Sequence, residues 1–107
     1  MDVRHLSFRL LQVYVQVVRL ASVSAAARLL HLTQPTVSLQ LKKLADEVGQ
    51  PLLEYREGKV HTTYVGDALF QAASDVLSRF DDFSALLEEA KGGRSGTLSL
   101  GIVTTAK

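Results

Sequence analysis

Ser22-Val23-Ser24-Ala25-Ala26-Ala27-Arg28-Leu29-Leu30-His31-Leu32-Thr33-Gln34-Pro35-Thr36-Val37-Ser38-Leu39-Gln40-Leu41-Lys42-Lys43-Leu44 is the stretch that decides the fold. Ser24 ahead of the alanine run predicts an N-cap and a short helix, because a serine hydroxyl accepts from the free amides of a first turn. The alanines have little bulk, so a second helix can approach closely. His31-Leu32 leaves room only for a tight connection. Thr33 is the next N-cap, and Pro35 suits a first turn, where its missing N–H would have no intrahelical acceptor. This third helix runs to about Val48 and stops at Gly49. Val37, Leu41, Leu44 and Val48 form its core stripe at i, i+4, i+7 and i+11. The opposite face presents Pro35, Leu39, Lys42 and Lys43, flanked by Thr36 and Ser38. An apolar Leu39 among hydroxyls and lysines is unusual for a helix face that merely meets water.

Upstream, residues 6–20 place apolar side chains at 6, 10, 13, 14, 17 and 18, which predicts a first helix. Downstream, Pro51–Tyr55 and Val60–Tyr64 read as short strands around the turn Arg56-Glu57-Gly58-Lys59, a β-hairpin. After Gly66 a helical pattern extends to about Ala90. Leu69, Ala73, Val76, Phe80, Phe83, Leu87 and Ala90 alternate spacings of 4 and 3 within it, a heptad seam. At 1.5 Å per residue that helix is roughly 38 Å long, too long for the small head to cover. The seam is therefore expected to meet a second subunit through Leu69, Ala73, Val76, Phe80, Phe83 and Leu87. Lys91-Gly92-Gly93-Arg94-Ser95-Gly96 has the composition of a hinge. Leu98, Leu100 and Ile102 then alternate with Thr97, Ser99 and Gly101 as a strand lacking a partner, which is not stable alone. The expected organisation is a head over residues 1–65, a linker helix over 66–91, a hinge over 92–97 and, from 98, the first strand of a further domain.

The 107 residues carry 12 Lys+Arg against 11 Asp+Glu, a net charge of +1 that by itself argues neither for nor against a polyanionic partner. The distribution is more telling. Between Val3 and Ala45 no acid occurs, while Arg4, Arg9, Arg19, Arg28, Lys42 and Lys43 are all basic; from Gly66 onward six acids face four bases. Such asymmetry suggests one part that faces a polyanion and another with a different task. The 47% apolar content is that of a globular chain. No cysteine is present, which excludes disulfides, thiolate zinc sites and a cysteine nucleophile. Arg4, Arg9 and Arg19 interrupt every apolar run that could serve as a signal or membrane span, so an intracellular, cytoplasmic protein is expected.

Three helices followed by a two-stranded hairpin is the order of a winged helix-turn-helix, here mainly α and extended by a long dimerisation helix. The chemistry of the exposed residues suits double-stranded DNA. A helix fits the major groove, Lys42 and Lys43 can neutralise phosphates, and Thr36 and Ser38 can reach phosphates or base edges. Pro35 and Leu39 offer surface for a thymine methyl. Arg56 and Lys59 near the hairpin tip can reach the adjacent minor groove or backbone. A Lys-Lys pair alone more often marks a solvated face; the acid-free run tips the balance towards DNA.

The 22–44 stretch also resembles the helix-turn-helix of LysR-type transcriptional regulators, through the run A-A-x-x-L-x-x-[ST]-Q-P-x-[VL]-S. The similarity continues through Glu47-Val48-Gly49, Leu52-Leu53-Glu54 and Thr63 to Gly66, then into the linker helix and hinge. It implies a winged-helix head, a linker helix pairing antiparallel with a second subunit, and dimers that often form tetramers. It also implies a C-terminal effector-binding domain, beyond these residues, that takes a small molecule; no cofactor is expected in the head. DNA contacts implied at matching positions are Thr33, Gln34, Pro35, Thr36, Ser38 and Leu39, with Arg56 in the wing; Ser24, Lys42, Lys43 and Lys59 complete the candidate DNA-binding residues. Three positions depart from the family pattern. Leu39 stands where an arginine often reads guanine, Leu52-Leu53-Glu54-Tyr55 replaces Leu-Phe-x-Arg, and Thr62-Thr63-Tyr64-Val65-Gly66 replaces Leu-Thr-x-Ala-Gly. The opening His5-Leu6-Ser7-Phe8-Arg9 and the ending Gly101–Lys107 resemble regulators of Rubisco operons in particular.

Two rival functions have less support. His5, His31 and His61 lack metal-ligand spacing, and no Walker loop, G-x-S-x-G or G-x-G-x-x-G occurs, so catalysis is not expected. A purely protein-binding winged helix is the second rival, and salt dependence discriminates it from a DNA reader. RNA polymerase is a further candidate partner; a membrane is not.

Overall fold

The computed structural model describes residues 6–92, in the order α1 (Phe8–Leu20), α2 (Val23–Leu30), α3 (Gln34–Val48), β1 (Leu53–Arg56), β2 (Lys59–Thr62) and α4 (Tyr64–Lys91). It divides into two units, one reaching Asp75 and one starting at Val76. The strand expected from residue 98 lies outside the described residues, as does the hinge apart from Gly92.

Each helix of the head starts on a hydroxyl cap. Ser7 accepts from the Leu10 amide at 3.1 Å, so α1 begins at Phe8 and not at Leu6. For α2 the cap is Ser22, whose Oγ accepts from Ala25 N–H at 3.0 Å; this corrects the assignment to Ser24. Both serines are good cap residues, but capping at Ser22 brings Val23 into the first turn, where its side chain is buried. Thr33 caps α3 as expected, with Pro35 in the first turn and Gly49, at φ +80°, closing the helix.

Three helices pack around two adjoining apolar clusters. Val13 and Val17 of α1, Ala26 and Ala27 of α2, Val37 of α3 and Val60 of β2 make the first. Tyr14, Leu44 and Leu52 make the second. Leu41 and Leu53 pack against both, so α3 and β1 are held by the whole core. Of the stripe expected on α3, Val37 and Leu44 are fully buried, each contributing about 1.5–3 kcal/mol. Leu41 and Val48 lie at the margins of the core.

The hairpin is shorter than its apolar pattern implies. Leu53 pairs with Thr62 and Arg56 with Lys59 in antiparallel register. Glu57 and Gly58, at φ +53° and +75°, form the two-residue loop; left-handed residues there match the twist of the strands. Thr63 and Tyr64 do not extend β2. Thr63 Oγ1 accepts from the Gly66 amide at 3.0 Å and donates to the Pro51 carbonyl at 2.8 Å, which makes Thr63 the N-cap of α4.

Gly66 is consequently inside the first turn of α4 and does not precede it. A Cβ there would collide with the Leu52 carbonyl and approach the Tyr14 hydroxyl. In its absence Tyr14, fully buried, donates from its hydroxyl to the Gly66 carbonyl at 2.6 Å. Burial first, and the Asp67 carboxylate second, push this phenol from its ordinary value of 10.0 up to about 12. The folded chain thus retains the hydroxyl proton where an unfolded tyrosine has lost it. The stabilisation is complete below the unfolded value and is lost as pH rises through the folded one. In urea melts the stability advantage over Tyr14→Phe should be constant near neutrality and shrink by roughly 2–3 kcal/mol between about pH 10 and 12. An advantage that does not change with pH would refute this role.

Candidate nucleic-acid interface

The turn between α2 and α3 is built without glycine. His31 adopts φ +58°, and the His31 and Leu32 amides fold back onto the Arg28 and Ala27 carbonyls at 3.3 and 2.9 Å. Leu32 packs against the first core cluster, which offsets the cost of a left-handed non-glycine residue. Thr33 follows as cap. Its Oγ1 accepts from Thr36 N–H at 3.2 Å and lies 2.8 Å from the Thr36 hydroxyl, so both threonines are set at the start of α3. Ser24, released from capping, donates to Gln34 Oε1 at 2.9 Å. That bond joins the first turns of α2 and α3 and leaves the Gln34 amide nitrogen as a donor for another molecule.

The outward face of α3 carries Gln34, Pro35, Ser38, Leu39, Lys42 and Lys43, all exposed, with Thr36 and Ser24 half-buried beside them. Leu39 is 67% exposed. Sequence spacing therefore located this face, since a helix one turn from its buried stripe must show the intervening residues to solvent. Arg56 and Lys59, exposed and paired in register, flank the tip of the hairpin. Tyr55 lines a groove between α3 and β1 together with Ser38 and Lys42. The wing is placed by its backbone as well as its core residues: the Val60 amide donates to the Ala21 carbonyl at 3.2 Å.

Two ion pairs escaped the reading of spacing. Lys42 Nζ lies 3.2 Å from Asp46 Oδ2, and Arg56 Nε lies 3.4 Å from Glu54 Oε1. Both were detectable in principle, as i, i+4 on a helix and i, i+2 on one face of a strand. Among the described residues no group of three or more His, Asp or Glu side chains could hold a metal ion, and no helix is long and apolar enough to cross a membrane.

Of the six seam residues, two lie in the first unit and are at least partly withdrawn from solvent. Leu69 packs against the Tyr14–Leu44–Leu52 cluster, and Ala73 is 2% exposed. A heptad pattern does not distinguish a partner helix from the chain's own core. In the second unit Val76, Phe80, Phe83 and Leu87 are exposed, together with Leu86.

A helix set at a fixed angle by its short predecessor, with a hairpin beside it, defines a winged helix-turn-helix protein. The family described as bacterial regulatory helix-turn-helix protein, lysR family, matches residues 8–67, and the chain belongs to it. It is 36% identical over 107 residues to a RuBisCO operon transcriptional regulator of Acidithiobacillus ferrooxidans, covering all of this chain and 35% of the relative. It is 40% identical over 104 residues to the HTH-type transcriptional regulator CfxR of Cupriavidus necator, covering 97% of this chain and 33% of the relative. The chain thus spans about a third of the length of these curated relatives. A crystal structure of a BenM DBD/catB site 1 DNA complex superposes with a TM-score of 0.76 at 32% identity, over 84% of this chain and 100% of that one.

Thr33→Ala removes the α3 cap and should cost about 1 kcal/mol, lowering the thermal midpoint by about 4–8 °C, whereas Thr33→Ser should retain most of it. Equal melting of all three proteins would exclude the capping role.

Proposed function

We propose that this chain is the DNA-reading part of a sequence-specific transcriptional regulator. It binds dyad-symmetric promoter DNA with α3 in the major groove and the hairpin at the adjacent minor groove or backbone. The observation that carries this reading is the exposed face of α3, with Leu39 67% exposed between hydroxyls and two lysines. Buried apolar side chains hold that helix from behind, so its outer face is presented as a rigid surface. The likeness to a DBD solved as a DNA complex, and to relatives described as transcriptional regulators, supports it.

The roles divide by chemistry. Lys42, Lys43, Arg56 and Lys59 serve phosphates and grooves; Ser24, Thr33, Gln34, Thr36 and Ser38 serve phosphates or base edges; Pro35 and Leu39 contact thymine methyls. Leu39 has no donor for a guanine edge, so its contribution to sequence choice is apolar. The exposed Val76, Phe80, Phe83 and Leu87 meet a second copy, and dimers pair into tetramers in a longer polypeptide. A small-molecule effector bound outside these residues governs the DNA complex, with RNA polymerase a candidate partner at the promoter. The protein acts in the cytoplasm and is not an enzyme.

Fluorescence anisotropy on dyad-symmetric promoter DNA tests the reading. Affinity should fall by orders of magnitude between about 50 and 200 mM salt. Lys43→Ala should weaken binding alike on all sequences and lower the salt slope by about one. Leu39→Ala should instead reduce preference at one base position, by on the order of 1 kcal/mol. Absence of salt-sensitive binding at micromolar protein would sink the proposal, and a sequence-independent loss from Leu39→Ala would refute its reading role.

Self-association has its own test. Phe80→Asp places a charge in the exposed apolar stripe and should give monomers in sedimentation equilibrium. A dimer that survives the substitution would show that the stripe is not the interface.

A further inference from the structure

The basic character of the first 45 residues is not continued in the wing. Arg56 and Lys59 are offset there by Glu54 and Glu57, so the hairpin is neutral as a whole. The pairing register puts Glu54, Arg56, Lys59 and His61 on one face, with His61 opposite Glu54 and Lys59 opposite Arg56. The other face carries Leu53 and Val60, which belong to the core, so the charged face is the one turned away from it. On that outward face Glu54 is the one carboxylate, and its Oε1 lies 3.4 Å from Arg56 Nε. Lys59 and, on α3, Lys43 have no ion-pair partner among the described residues.

We propose that Glu54 tempers specificity at the wing: by holding Arg56, it weakens the grip on DNA and blunts the preference of Arg56 for a narrow minor groove. The inference rests on the DNA-binding reading above. An arginine bound to a carboxylate moves to DNA only if DNA offers a deeper negative potential than the carboxylate it leaves. A narrow A·T minor groove concentrates negative potential and attracts arginine; a wide G·C groove does so far less. Leaving Glu54 costs the pair energy at a narrow groove, whereas at a wide one Arg56 stays paired and loses little. Glu54 therefore lowers the gain at narrow grooves more than at wide ones. Exposed ion pairs are weak. The expected consequence is accordingly a few-fold blunting of the preference and not an on–off switch. Lys43, with no ion-pair partner among the described residues, supplies a phosphate attraction that does not depend on groove shape.

The test compares the chain, Glu54→Gln, Arg56→Ala and the double variant on poly(dA)·poly(dT) and poly(dG)·poly(dC) duplexes by anisotropy at one fixed low salt concentration. Helical content and thermal midpoint check that each variant is folded. The unaltered chain should prefer the dA·dT duplex. Glu54→Gln should strengthen binding to both, and to dA·dT by up to about three- to five-fold more, so that the preference grows. In the Arg56→Ala background Glu54→Gln should leave the preference unchanged, because the coupled partner is gone. An equal gain on both duplexes, no gain, or the same change in preference without Arg56 would each overturn the proposal. If the unaltered chain shows no salt-sensitive binding to either duplex, the DNA-binding reading itself fails, an outcome distinct from an ineffective Glu54→Gln in a chain that binds.

Discussion

The architecture of the head depends on one close approach, where α1, the entry to the hairpin and the first turn of α4 meet. The Tyr14 hydroxyl donates to the Gly66 carbonyl, and the Leu52 carbonyl occupies the space a side chain at residue 66 would need. Thr63 ties the same point from the other side, with its amide on Leu52 O at 3.0 Å and its hydroxyl on Pro51 O. Buried polar groups are costly unless paired, so this knot admits few alternative geometries. It determines where β1 begins and where α4 starts, and hence where the wing stands beside α3.

The exposed face of α3 is rigid because everything behind it is packed. Leu41 and Leu53 contact both core clusters, which couples the recognition face and the wing to one interior. Outside that interior the electrostatics are mixed. Lys42 and Arg56 each have a carboxylate neighbour in the chain, so attraction to a polyanion is moderated at the positions nearest the candidate contacts. At Lys42 a reader of sequence benefits from such moderation, since unopposed cations on phosphates bind every duplex alike.

Much of this was legible from spacing. The stripe of α3, its Thr33 cap, the hairpin and the family were all readable, because helix periodicity, hydroxyl caps and turn glycines act over a few residues. Boundaries were less so: Ser22 and Ser24 are equivalent by composition, and only the burial of Val23 decides between them. Thr63 and Tyr64 continued a β-like run, yet the contact with Pro51 and Leu52 turned Thr63 into a cap. The heptad pattern likewise gave no sign that Leu69 and Ala73 fall in the first unit, partly buried and buried, while Val76, Phe80, Phe83 and Leu87 are exposed.

The amino-acid sequence by itself determined the order of elements, the helix face offered to a ligand and the uneven distribution of charge. These depend on interactions within a turn or two of the backbone. Tertiary structure alone decided the use of Gly66 and the perturbation of Tyr14. Tyr14 and Gly66 are 52 residues apart in the chain. A hydrogen bond across that separation leaves no periodic trace, and it exists only once desolvation by the assembled core makes an unpaired hydroxyl too costly.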